Sequence, residues 1–266
     1  VGTIGGRASY FLRGTKHLLP VDACPVAHPL VEELIVDGRF GIAADVMIRV
    51  GARTGDRMVV VGPTADDVLV PDDVLVVGAD ELKARKRAWI TERAAGHTFR
   101  VSARSFFQAR PDGADALVEA VHRHLGPVSD TDTIADLYGG VGLFAASMPE
   151  AAPITLVESS PSAVADAKYN LADHNVRVVK TKAEKWTPDR TDIVIADPSR
   201  EGLHPKAAQR ISQTRSDRVV LVSCDPAAMA RDVGELGTYG LKLQALTIVD
   251  LFPQTSHIET VASFSR

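Results

Sequence analysis

The sequence predicts a doubly wound α/β sheet preceded by a smaller α+β domain, and three observations lead there. From about residue 130 onward, short β-branched runs alternate with helix-length segments, the pattern of a parallel sheet with crossover helices. Those helix-length segments open on a turn residue or a proline. Upstream the texture changes to strand-like runs joined by glycine-containing turns. The expected division is 1–92 for the small α+β domain and 93–266 for the large sheet domain. A chain of 266 residues, 45% hydrophobic and 24% charged, is long enough to bury a substantial core.

In the first part, residues 39–49 and 57–61 read as strands joined by Gly51-Ala-Arg-Thr-Gly55, and 68–77 is β-rich with an internal Pro-Asp-Asp turn. Residues 83–93 are strongly charged and read as a helix or a linker at the boundary. An amphipathic segment at 112–125 leads into the sheet. Strands are expected at 133–137, 154–158, 193–196, 218–223, 246–250 and 258–264, and helices at 160–174, 205–213 and 226–236. The last two strands flank Phe252-Pro-Gln-Thr-Ser-His257, which is too short for a crossover helix. They are expected to form an antiparallel hairpin at one edge.

Composition narrows the setting. No apolar run approaches the ~20 residues of a membrane helix, and the opening Val-Gly-Thr-Ile-Gly-Gly lacks the basic and apolar regions of a secretion signal. Two cysteines fit a reducing compartment, so a cytoplasmic location without a membrane partner is expected. A first residue of valine is expected of a chain that begins within a longer gene product or after a processed start. The net charge of −4 argues against a broad basic surface for nucleic acid. Basic residues gather locally at Arg7, Arg13, Lys16 and His17, and again in Lys83-Ala-Arg-Lys-Arg87 with Arg93 beyond; solvated surface charge accounts for each cluster taken alone.

Chemistry-bearing residues fall at strand ends, where open α/β sheets hold their ligands. The strand at 133–137 runs into Asp136-Leu-Tyr-Gly-Gly-Val-Gly142, whose glycines let the backbone turn sharply and approach a ligand. Glu158 ends the next strand, where a carboxylate can accept hydrogen bonds from both hydroxyls of a ribose. Together they imply a nucleoside cofactor; the loop alone also reads as a tight turn. Asp-x-x-x-Gly-x-Gly fits an adenosylmethionine pocket better than a dinucleotide fingerprint, because the third dinucleotide glycine is missing. Asp197, in Asp197-Pro-Ser-Arg200, projects from a strand end towards the same rim or caps a helix. Cys224 follows the apolar run 218–223 and is either a nucleophile or a buried thiol. Glu259 reads as a partly desolvated base or as an exposed edge residue, and His257 as structural more than catalytic.

In chain order, the segments Ser105-Phe-Phe-Gln108, Asp136-Leu-Tyr-Gly-Gly-Val-Gly142, Asp197-Pro-Ser-Arg200, Ser223-Cys-Asp-Pro226 with Ala230-Arg-Asp232, and Asp250-Leu-Phe-Pro-Gln-Thr-Ser-His-Ile-Glu259 strongly resemble the RNA uracil-5-methyltransferase family. The resemblance covers residues 98–266 and extends more thinly to Cys24-Pro-Val-Ala-His-Pro29. It implies a Rossmann-like methyltransferase sheet, S-adenosyl-L-methionine as cofactor, and RNA, ribosomal or transfer, as the partner. It aligns Cys224 with the nucleophile and Glu259 with the general base. It places Gln108, Tyr138, Gly140, Gly142, Glu158 and Asp197 around the cofactor, with Asp197 also orienting the base, and leaves Phe106 or Phe107 to line the base site.

Departures from the family pattern qualify this. Leu143 stands where some members have a cofactor-contacting asparagine, and Gly139 replaces a frequent cysteine. Cys24 resembles the last of four cysteine ligands of an iron–sulfur cluster, which this chain can hold only if further cysteines lie upstream. The β-barrel RNA-binding domain common at the family's N-terminus is not visible. A cytosine-5 methyltransferase uses the same thiol addition, but the DNA-acting ones place Pro immediately before the nucleophile, where this chain has Ser223. A non-catalytic module binding adenosylmethionine or RNA is the remaining alternative, disfavoured by the presence of both Cys224 and Glu259.

Overall fold

A computed structural model describes residues 1–12, 14–255 and 257–266. Arg13 of the first basic cluster and Ser256 of the segment before Glu259 lie outside the described residues. The chain divides into two compact units: Val1–Arg93 with Arg100–Ala103, and Ala94–Phe99 with Arg104–Arg266. None of the described helices is long and apolar enough to cross a membrane.

The first unit is built on strands β1 (Gly2–Ile4), β2 (Arg7–Phe11), β3 (Leu18–Pro20), β4 (Arg39–Phe40), β5 (Asp45–Val50), β6 (Arg57–Gly62), β7 (Val68–Leu69) and β8 (Val74–Gly78), with helices α1 (Pro29–Val36) and α2 (Ala79–Lys83). Its main sheet runs in the order β3-β2-β1-β5-β6-β8. Leu34, Phe40, Val59 and Val61 form the centre of its core. Arg57, 8% exposed, is held there by Asp73 and Glu33 at 2.6 and 2.9 Å. The strand expected across 39–49 is two strands, because Gly41, at φ +54°, turns the chain between them.

The chain passes between the units within the hairpin of β9 (Trp89–Ala94) and β10 (His97–Ser102). The charged segment 83–93 is therefore neither a helix nor a linker: α2 stops at Lys83, and β9 follows after a short connection. Buried Ile90, Glu92 and Ala94 alternate with more exposed neighbours, a period of two that the charges disguise. Glu92 is tolerated inside because its carboxylate accepts from the amides of Ala52 and Arg53 at 2.6 and 3.1 Å.

The second unit carries α3 (Pro111–Leu125), β11 (Ile134–Leu137), α4 (Leu143–Ala146), β12 (Ile154–Glu158), α5 (Pro161–Asn170), β13 (Val176–Lys180), a 3₁₀ turn at Ala183–Lys185, β14 (Ile193–Ala196), α6 (Pro205–Gln213), β15 (Arg218–Ser223), α7 (Pro226–Thr238), β16 (Lys242–Val249) and β17 (Glu259–Ser265). The sheet order is β13-β12-β11-β14-β15-β17-β16, parallel except that β17 runs antiparallel to both neighbours. Proline opens α3, α5, α6 and α7, and at the last three a side chain of Ser160, His204 or Asp225 caps the first turn. β11 and β14 are buried on both faces; β14 accordingly reads as an unbroken apolar run, and β11 departs from one only at Asp136. Leu137, Val194, Leu221 and Phe264 pack beneath Ala207, Ile211 and Leu236.

The expected doubly wound sheet and its terminal hairpin are present. β13 is the strand the sequence did not announce: at the sheet edge, with Arg177 and Lys180 exposed, it lacks an apolar run. The helix expected to reach 174 stops at Asn170, and β16 begins at Lys242 rather than 246, since an edge strand needs no apolar start.

Candidate active site

The cleft lies at the carboxyl ends of β11, β12, β13 and β14. Leaving β11, the chain adopts positive φ at Tyr138 (+62°), Gly140 (+55°) and Gly142 (+98°). A Cβ at Gly142 would sit 2.8 Å from the side chain of Leu171, so both backbone and packing demand glycine there. Tyr138 holds its left-handed backbone without that licence, a local strain typical of ligand-binding turns. Burial, then Glu184 and Asp232, pushes its phenol up to about 12.

Glu158 organises the loop. One carboxylate oxygen accepts from the amide of Gly140 at 3.1 Å, and the other from the amides of Ser159 and Ser160, both at 2.6 Å. The sequence expectation of free oxygens for a ribose is thus modified, because the carboxylate also braces the glycine loop. Each oxygen has about two lone pairs, so Oε2 retains acceptor capacity for a hydroxyl. A cavity of about 350 Å³, within the small-molecule range, is lined by Tyr138, Glu158, Lys182, Glu184, Ser199 and His204 among others. A mouth-facing carboxylate and a turn whose glycines admit close approach suit a nucleoside cofactor. Gln108, Gly140, Gly142 and Asp197 are not among its lining residues.

A second cluster forms around Cys224, and the strand register explains it. Antiparallel pairing puts Ser223 opposite Thr260, so one step further Cys224 faces Glu259. The Thr260 hydroxyl pins the join by donating to the Ser223 carbonyl at 3.0 Å. Glu259 is 7% exposed, and burial pushes its carboxyl up to about 7 against the opposing charge of Arg200. It is no edge residue, because β17 lies between β15 and β16. Asp197 follows β14, and its amide donates to the Leu137 carbonyl at 3.2 Å. It does not cap α6, a task taken by His204. Burial and then Glu259 push its carboxyl up to about 7.

The half-buried thiol feels all of these groups. Burial and Glu259 push it above the usual thiol range; a hydrogen bond from Arg200 is the largest opposing influence, and Asp197 adds a further rise. Asp136 lies behind, fully buried with both carboxylate oxygens unpartnered, and is pushed up to about 8 by burial, Asp197 and Glu158. Glu259 and Asp197 therefore flank one thiol and one guanidinium with Asp136 behind them, and all three carboxyl groups have their ionisation moved into the neutral range. Such a cluster can hold and move protons at neutral pH.

Sequence reasoning missed Arg200 as a partner of the thiol, since a surface arginine in a turn carries no distinguishing pattern. It also missed Lys182 and Glu184, which follow the unannounced strand β13. Phe106 and Phe107 separate cleanly: Phe107 packs on Phe99 with ring centroids 5.3 Å apart, whereas Phe106 is 72% exposed. His257 sits edge-on to Phe252. Leu143 is buried at the start of α4, and Asn170 reaches the glycine loop instead, donating to the Val141 carbonyl at 3.0 Å. Cys24, in the other unit, is buried against Tyr10, and no described group of three or more His, Cys, Asp or Glu residues could hold a metal. One thiolate does not make the iron–sulfur site, so the residues present do not fit that cluster.

A protein of Streptomyces coelicolor described as an uncharacterized RNA methyltransferase is 35% identical over 97% of this chain, and one of Streptomyces avermitilis is also 35% identical over 97%. The chain spans 60% and 64% of the lengths of those relatives. Among solved structures, the tRNA (uracil-54, C5)-methyltransferase of Pyrococcus abyssi, determined with S-adenosyl-L-homocysteine, shares the fold. The match has a TM-score of 0.73 and 22% identity, covering 98% of this chain and 76% of that one. The model of the tRNA (uracil-5-)-methyltransferase family matches residues 84–266, the whole run from the β9–β10 hairpin through the thiol and its facing carboxylate, and the chain belongs to that family.

Proposed function

We propose that the chain transfers a methyl group from S-adenosyl-L-methionine to carbon 5 of a uridine in ribosomal or transfer RNA, through a covalent adduct with Cys224. The observation that carries this reading is the strand register that sets Cys224 facing Glu259, with Asp197 and Arg200 beside them. The bound cofactor would supply an electrophilic methyl group, held by Glu158 and Tyr138 against the Gly140–Gly142 turn; Gln108, which does not line the cavity, is given a part in holding it by the family resemblance alone.

Carbon 5 of uracil is too weak a nucleophile to take that methyl unaided. The Cys224 thiolate adds to carbon 6, and the ring electrons move onto carbon 5 and the carbonyl oxygen at position 4. Arg200 steadies the thiolate against burial and two carboxylates. Asp197, poised near neutrality, can donate a hydrogen bond to a uracil carbonyl as charge develops there. Once carbon 5 carries the methyl group, Glu259 takes its proton, the ring double bond re-forms, and the carbon–sulfur bond breaks to return the thiolate. A glutamate moved to about 7 is well matched to that task. A uridine in folded RNA must first leave its stack, and exposed Phe106 offers a ring to receive it.

The test is nucleoside analysis of RNA from a strain lacking the activity, after incubation with purified protein and labelled cofactor. New 5-methyluridine is expected; 5-methylcytidine would transfer the assignment to a cytosine-5 enzyme, and no methylated nucleoside would favour a binding module. RNA containing 5-fluorouracil should trap an adduct with the wild type and none with Cys224→Ala.

A further inference from the structure

Helix α7 begins immediately after the thiol, with Asp225 as its cap and Pro226 in its first turn. Two turns on, it presents Asp232, which is 4% exposed and accepts from the Leu203 amide at 2.9 Å. Leu203 ends the turn that displays Arg200, a turn closed by the Gly202 amide donating to the Ser199 carbonyl at 2.8 Å. Gly202 has φ +80°, and a Cβ there would lie 2.7 Å from the Asp232 carboxylate and 3.2 Å from Ala228. The residue before Asp232 on the helix, Arg231, donates to the Glu201 carbonyl at 3.2 Å. Two residues of the Arg200 turn, Glu201 and Leu203, are thus hydrogen-bonded to one helix, Gly202 between them packs against it, and that helix begins just after Cys224.

A buried carboxylate accepting a backbone amide is a strong, directional tie. Its partner here is the amide of buried Leu203, just before the His204 cap of α6 and three residues after Arg200, the cation that hydrogen-bonds the thiol. We infer that Asp232 is a positioning residue that holds Arg200 in hydrogen-bond reach of Cys224, with α7 acting as the common frame for thiol and guanidinium. The inference rests on Cys224 being the working nucleophile, and it adds that the spacing of the pair is fixed from outside the cleft. The charged groups facing the thiol are Arg200, Glu259 from β17 and Asp197 from the end of β14. Those acting on Asp232 are Arg231 and Glu235, on its own helix, with the phenol of Tyr138 from the β11 turn also in its field.

The test needs neither RNA nor cofactor. In the full chain carrying Cys24→Ser, Cys224 is the sole thiol, and its alkylation by iodoacetamide is followed from neutral to alkaline pH. Arg200→Ala should raise the midpoint by about one pH unit, close to a tenfold loss of rate at neutral pH. Asp232→Ala should raise it equally, the double variant no further, and Asp232→Asn, whose amide oxygen still accepts from Leu203, should stay near the parent. Gly202→Ala disturbs the same contact from the turn and should reproduce the shift if Asp232→Ala does not fold. An unchanged midpoint in the folded Asp232→Ala or Gly202→Ala chain overturns the inference, as does an unchanged midpoint in Arg200→Ala. Failure to methylate uridine with the midpoint shifted as described would sink the proposed reaction and leave this inference standing.

Discussion

Glu259→Gln separates folding from catalysis at a single atom pair. The wild-type carboxyl is 7% exposed and moves from 4.5 to about 7 on folding, chiefly because it loses water. At about 1.4 kcal/mol per pH unit, that gap is worth about 3 kcal/mol. The sign follows from which state keeps its proton. Below 4.5 both states hold it and Glu259 imposes no penalty. As pH rises towards 7 the unfolded chain ionises first, so stability is progressively lost, and above about 7 the full cost is present. Glutamine cannot ionise and escapes it. The variant should therefore exceed the wild type by about 1.4 kcal/mol near pH 5.5 and by about 3 kcal/mol near pH 8. Asp197 reinforces the trend, because removing the Glu259 charge relieves its own raised carboxyl. Urea unfolding at the two pH values, followed by the fluorescence of Trp186, buried in the same unit, gives the difference directly. Equal stabilities at high pH would mean that Glu259 is a solvated carboxylate, and the argument for its basicity would fall. The same variant should let the methylated RNA adduct accumulate, because nothing takes the carbon 5 proton; undiminished turnover would refute its role as base.

The cofactor cleft and the base site give further expectations. Glu158→Ala strips three backbone amides of their acceptor and should weaken S-adenosylhomocysteine binding by about 1–3 kcal/mol in calorimetry; an unchanged Kd would remove Glu158 from the pocket. Gly142→Ala must place a Cβ at φ +98° and 2.8 Å from Leu171, so a loss of about 1–3 kcal/mol and a Tm lower by several degrees are expected. Phe106→Ala should leave Tm unchanged while costing about 1–3 kcal/mol in RNA affinity. Phe107→Ala, cut from its contact with Phe99, should show the reverse pattern, and identical behaviour of the two would refute the division of labour.

The features legible in the sequence are those whose cause is local. β12, β14 and β15 can be bounded to the residue because each has a mostly buried apolar centre, and turn, proline or polar residues mark where it stops. β13 and β9 break that logic for opposite reasons. One is an edge strand that needs no apolar run; the other buries a glutamate whose partners, Ala52 and Arg53, lie far away in the chain. The site divides in the same way. Tyr138, the glycine turn and Glu158 announce themselves by spacing, because a sharp glycine turn with an acid at the end of the next strand is a local pattern. The meeting of Cys224 with Glu259 has no local cause: it depends on β17 entering the sheet between β15 and β16, and on a register in which Ser223 opposes Thr260. A slip of one residue would turn Glu259 to the other face and leave the thiol without a facing carboxylate. The Thr260 hydroxyl on the Ser223 carbonyl guards against that slip, so the facing of Cys224 and Glu259 rests on a hydrogen bond between two residues that have no part in the proposed chemistry. Asp232 is the same kind of residue at one remove, visible as part of a motif but explicable only once the Arg200 turn is seen resting on it.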